Sequence, residues 1–97
     1  MKDKRIHIGD TVAHFKRELL TEEEKKEEPT KYLYHIEGFA THSETREKMV
    51  VYRAMYGDFG LYVRPFAMFM SEVDHEKYPQ SKSQYRFTVI AHEGDKE

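Results

Sequence analysis

Histidines, carboxylates, hydroxyls and scattered cations are the side chains here that could do chemistry. Cysteine is absent, which excludes disulfides, thiolate catalysis and cysteine-based zinc sites. There are six histidines: His7, His14, His35, His42, His75 and His92. His42 and Glu44 stand two apart, which puts both on one face of an extended strand and permits metal ligation. That pair supports one reading, a small metal-dependent hydrolase. No two histidines have the His-x₃-His spacing of a helical metal site. In the competing reading, His14 and His42 are polar residues bonded to neighbouring backbone. Ser43, Ser71, Ser81 and Ser83 lie in polar segments without the Gly-x-Ser-x-Gly context of a nucleophile elbow. The acids are not arranged as a facing pair for glycoside chemistry. The expectation is a chain that is not an enzyme and holds no cofactor and no metal.

The aromatic and basic residues carry more. Tyr52, Arg53, Tyr56, Tyr62 and Arg64 fall on neighbouring predicted strands, and alternation sends some of them outward. Tyrosine beside arginine suits base stacking with phosphate contact, and it equally suits an extended peptide in an aromatic groove. The leading expectation is a non-enzymatic binding module for a protein segment or single-stranded nucleic acid. His14, Lys16, His42, Tyr52, Arg53, Tyr56 and Arg64 are its candidate ligand-binding residues. Lys16 and the arginines would supply charge, the tyrosines stacking, and the histidines directional hydrogen bonds. Against this stands a plainer reading: the tyrosines fill the core and Arg64 pairs with an acid. A structural or regulatory subunit of a larger complex is a further alternative.

The bulk properties bound these choices. Ninety-seven residues suit one domain, residues 1–97. Aromatic content of 13 % offers an economical way to fill so small a core. A net charge of −2 argues against attachment to nucleic acid or membrane by bulk charge, though not against a local patch. No apolar run is long enough to span a bilayer. Residues 1–10 lack the apolar core of a secretory signal. A cytoplasmic protein without membrane partners is expected.

The elements that would position these side chains are short strands. Met1–Arg5 should be frayed and residues 91–97 a loose tail. Gly9-Asp10 signals a turn before a strand at Thr11–Phe15. Residues 17–31 form a charged insertion. Thr21 and Glu24 match a capping box, no apolar face follows, and Pro29 ends the run. A loop with one or two helical turns anchored by Leu19 and Leu20 is expected, with disorder as its competitor. In Lys31–Ala40, Tyr32, Tyr34 and Ile36 should share one face, with Leu33 and Phe39 opposite and a bulge at Gly38. Lys48–Tyr56 is apolar on both faces and should be central. After the Gly57–Gly60 turn, Leu61 and Val63 should point inward. Pro65 ends that strand, and Phe66–Met70 should form one helical turn. Ser71–Val73 could add an edge strand, and Gln84–Ile90 alternates cleanly. Five or six short strands fit a small closed β-barrel.

Taken in order, these residues also resemble a known family. His14-Phe15-Lys16, Gly38-Phe39-Ala40 with His42, Glu44 and Thr45, Val50-Val51-Tyr52, Met55-Tyr56, Val63-Arg64-Pro65 and Met68-Phe69 are similar to the bacterial domain of unknown function 1653. The likeness spans about His14 to Phe87. It implies a mainly β fold, a small SH3-like β-barrel, and no activity. The charged insertion departs from the family pattern. So does Arg46, which stands where family members often carry glycine. A side chain there disfavours positive φ, so a left-handed turn is not carried over to that position.

Overall fold

The computed structural model describes residues 6–92. The expected loose end at Met1–Arg5 and most of the expected loose tail at residues 91–97 lie outside them; within them the tail expectation fails, because Ala91 ends a strand and His92 Nδ1 lies 2.8 Å from Asp10 Oδ1. Five strands form one antiparallel sheet: β1 (Thr11–His14), β2 (Leu33–Thr41), β3 (Lys48–Ala54), β4 (Leu61–Pro65) and β5 (Phe87–Ala91), in the spatial order β4-β3-β2-β1-β5. A 3₁₀ turn (Phe15–Leu19) and helix α1 (Glu22–Glu27) lie between β1 and β2, and the single turn α2 (Phe66–Phe69) follows β4.

The sheet is mainly β as expected, but it is not closed into a barrel. β4 and β5 are its two edges, and no ladder joins them. Pro65 has no N–H to extend pairing. The chain therefore turns into α2 and crosses to the far side of β1 before β5 begins. The expected sixth strand is reduced to a single bridge, Glu72 to Tyr85.

Register decides what faces the core. Ile36 pairs with Tyr52, Tyr52 with Tyr62, Val50 with Arg64, and His14 with Phe87. One face thus carries Val12, Ile36, Val50, Tyr52 and Phe87, which together with Ile6 and Phe69 make the core. β3 is central, and the face bearing Val50, Tyr52 and Ala54 is the fully buried one. Two expectations on inward residues fail here. Leu61 and Val63 are 54 % and 58 % exposed, because pairing with β3 turns Tyr62 and Arg64 to the core side instead. Phe39 packs on the core rather than opposite it. The ladder slips between Ile36 and Gly38, and that bulge returns Phe39 to the face of Ile36.

The insertion is ordered. Thr21 Oγ1 accepts from Glu24 N–H at 3.1 Å, and Glu24 Oε1 accepts from Thr21 N–H at 2.8 Å. This capping box starts α1, which buries nothing. Leu19 stays exposed, so hydrogen bonds supply much of the anchoring. Arg17 Nη1 donates to Lys31 O at 2.9 Å, and Thr30 Oγ1 donates to Met55 O at 2.6 Å. Arg46 adopts φ 69°, so the turn takes the left-handed geometry despite the missing glycine.

Phe69 is 0 % exposed and stacks on Phe87 at 3.9 Å. Phe69→Ala should lower unfolding free energy by about 3–5 kcal/mol. Met68→Ala, on the exposed side of the same turn, should change it by no more than about 0.5 kcal/mol. Urea denaturation of both variants checks the pair.

Candidate functional site

At the seam between the two sheet edges the chain gathers four of its cations. A recess of about 260 Å³ is lined by His14, Phe15, Lys16, Arg64, Asp74, Lys77, Tyr78 and Arg86. It is below the ~300–1,000 Å³ of pockets that enclose drug-sized ligands. Each wall has a different origin. His14 ends β1, and Lys16 rides on the 3₁₀ turn that follows. Arg64 stands on β4. Arg86 immediately precedes β5, held by its own N–H to Ser71 O at 3.0 Å and by Phe15 N–H to its carbonyl at 2.8 Å. Lys77 and Tyr78 come from a loop turned by Asp74, whose carbonyl accepts from both backbone N–H groups. Glu18 holds the neighbouring stretch by accepting from Ser81 Oγ and from Lys82 N–H.

The electrostatics are one-sided. Four cations face one acid, Asp74, whose carboxylate is already engaged by the N–H groups of Glu76 and Lys77 at 3.1 and 3.4 Å. None of Lys16, Arg64, Lys77 and Arg86 forms an ion pair with a described carboxylate. Arg64 instead lies 5.8 Å from the centre of the Phe87 ring, and Lys16 and Lys77 lie 5.7 and 5.8 Å from that of Tyr78. Arg86 Nε is buried with no hydrogen-bond partner among the described residues. A buried unpaired donor on a guanidinium is costly.

His14 reads this field. Its pKa is lowered from 6.5 to about 4, first by burial and then by Lys16, Arg64 and Arg86. The ring is neutral at physiological pH. Nδ1 accepts from Lys16 N–H at 3.1 Å, which leaves the proton on Nε2 as a donor.

Aromatic rings continue from the recess along the same face. His14 lies 4.9 Å from Phe87 and 5.9 Å from Tyr32. Tyr32 meets Tyr56, Tyr56 meets Tyr34, and Tyr52 meets Tyr62, all at 5.8 Å. Tyr62 is 48 % exposed, and Tyr32, Tyr34 and Tyr56 are half-buried. Burial, followed by the hydrogen bond to Tyr56, raises the Tyr34 pKa far above the usual phenol range.

The structure brings together three of the expected site residues, His14, Lys16 and Arg64, with Tyr56 further along the same strip. It separates the rest. Tyr52 is 5 % exposed and belongs to the core. Its ring is the floor beneath Tyr62 rather than a contact surface. Arg53 lies on the opposite face, where Nη1 donates to Phe59 O at 2.9 Å and Nε is 3.6 Å from Glu37. His42 sits in the β2–β3 turn, its Nδ1 accepting from the N–H groups of Glu44 and Thr45 at 3.1 and 3.3 Å. Arg86, Lys77 and Tyr78 are additional members that sequence reasoning did not single out. The one signal for them is Tyr78 before Pro79, an aromatic in an otherwise polar loop.

The family described as "Protein of unknown function (DUF1653)" matches residues 10–89. No curated protein and no solved structure matches the chain.

The His14 ring should titrate near pH 4 in ¹H–¹⁵N spectra. Its folded pKa lies below the unfolded one, so unfolded chains take the proton first as pH falls. The His14 contribution to stability is therefore whole above pH 6.5 and is lost between 6.5 and about 4. His14→Asn, which keeps an acceptor for Lys16 N–H, should remove that part of the acid destabilisation in pH-dependent urea melts.

Proposed function

The chain belongs to the DUF1653 family, whose description assigns no activity, and from its own side chains we propose that it is a non-enzymatic binding module for single-stranded nucleic acid. A phosphate sits among Lys16, Arg64, Lys77 and Arg86, and neighbouring bases stack on the tyrosine strip. The observation that carries this reading is the convergence of four cations without a described ion pair in a chain of net charge −2. Cations held apart from carboxylates cost self-repulsion, which an anionic ligand removes. The recess suits a phosphate group better than a whole nucleotide. The exposed Tyr62 and half-buried Tyr32 and Tyr56 then supply sequence-tolerant stacking. We read the fold as an opened form of the SH3-like barrel. The strand order β4-β3-β2-β1-β5 and the one-turn helix before the last strand support that reading.

Fluorescence anisotropy with a labelled single-stranded RNA of about 12 nucleotides tests the proposal. Binding should weaken as salt rises, because phosphate contacts release counterions. Lys16→Ala and Arg64→Ala should each weaken it and lower the salt slope by about 1. Tyr62→Ala should cost about 1–3 kcal/mol, while Arg53→Ala, on the opposite face, should bind as the parent does. No binding at low salt, or equal losses in Arg53→Ala and Arg64→Ala, would overturn the reading. Uptake of an acidic peptide but not RNA would transfer the same surface to a protein segment.

A further inference from the structure

A second cluster lies at the other end of β1, independent of the nucleic-acid reading. His7, Asp10 and His92 offer ligand atoms that all lie within 4.8 Å of one another. The backbone sets two of them locally. His7 N–H donates to Asp10 Oδ2 at 2.8 Å, and Asp10 N–H donates back to His7 O at 3.1 Å. Gly9, at φ 96°, supplies the left-handed residue this turn requires. Asp10 is then pinned to β2, because Ile36 N–H donates to its carbonyl at 2.8 Å.

A bulge delivers His92. Thr11 pairs with Ala91 but Val12 pairs with Val89, so Ile90 is an extra residue on β5. An unbroken ladder would set Asp10 opposite Ala91. The slip sets it opposite His92 instead, and His92 Nδ1 lies 2.8 Å from Asp10 Oδ1. His7 Nδ1 lies 3.7 Å from Asp10 Oδ2. The two imidazoles are exposed at the surface, while Asp10 is 1 % exposed.

We propose that His7, Asp10 and His92 bind a zinc-type divalent transition-metal ion. Two imidazoles and a carboxylate are a common zinc donor set. Ligand atoms about 2.0–2.2 Å from a tetrahedral zinc stand roughly 3.3–3.5 Å apart; here they all lie within 4.8 Å of one another, so the two exposed imidazoles have to close in on one Asp10 oxygen. The carboxylate is desolvated, its described polar partners being one backbone N–H and the two imidazoles. A buried carboxylate gains from a cation. Coordination through Nδ1 uses that nitrogen's lone pair, so the ring's one hydrogen then sits on Nε2 and the imidazole stays neutral. Three protein ligands leave one position for water. The ion would clamp the segment before β1 to the end of β5.

Isothermal titration of the untagged full-length chain with ZnCl₂ tests this, alongside the visible spectrum with Co²⁺. The expected result is saturable one-to-one uptake and a tetrahedral Co²⁺ band, with Mg²⁺ giving neither because it prefers six oxygens. His7→Ala and His92→Ala, both exposed and so tolerable to the fold, should each weaken zinc binding by at least about tenfold. His42→Ala should leave it unchanged. Absence of saturable uptake, or uptake unaltered in both His7→Ala and His92→Ala, overturns the site and leaves the cluster a hydrogen-bonded turn.

Discussion

The ring of Phe87 stacks on Phe69 with centroids 3.9 Å apart and planes 5° from parallel. Its other neighbours are His14, Tyr34, Tyr52 and the guanidinium of Arg64. One side chain therefore joins the edge strand β5, the turn α2, the centre of the sheet and the cationic recess. Because β4 and β5 share no ladder, this packing holds the two edges near each other. Aromatic pairs add about 0.5–1.5 kcal/mol each beyond the area they bury, and here several meet at one point. Loosening them would let Arg64 move away from His14 and would take the recess apart along with the core.

The open seam and the unmatched charge are connected. A closed ladder between β4 and β5 would leave no room for long cationic side chains at the junction. Left open, the seam is filled by Arg64, Arg86, Lys16 and Lys77 around His14. Burial, with Lys16, Arg64 and Arg86, keeps that imidazole neutral, so it adds a donor without adding to the repulsion. The opposite face shows the contrast. There Arg53 has Glu37 beside it and a carbonyl to bond, and nothing in its surroundings calls for a ligand.

Local signals in the sequence were sufficient for the strands, for α2 after Pro65 and for the capping box of Thr21 and Glu24. Features set by pairing were not legible. Leu61 and Val63 look inward by hydrophobicity, yet the register with Val50 and Tyr52 turns them out. Phe39 changes face through a bulge whose position is legible at Gly38 but whose size, and so the face of the residues after it, is set by pairing with β3. Barrel closure depends on whether two distant edges meet, which alternation cannot report. The same holds for the sites. His14, Lys16 and Arg64 could be chosen as cations and polar groups beside aromatic strands. Arg86 and Lys77 join them only because the 70–86 segment folds back over the recess. Asp10 and His92 are 82 residues apart, and a one-residue slip in a ladder brings them into contact.

The most direct test of the central claim is a ¹⁵N–¹H chemical-shift titration with a single-stranded RNA pool at low and moderate salt. The expected result is salt-sensitive shifts clustered at His14, Lys16, Tyr62, Arg64, Lys77 and Arg86, with Arg53 and His42 unmoved. An unchanged spectrum at low salt, or shifts centred on Arg53 and the opposite face, would contradict the assignment of this surface to nucleic acid.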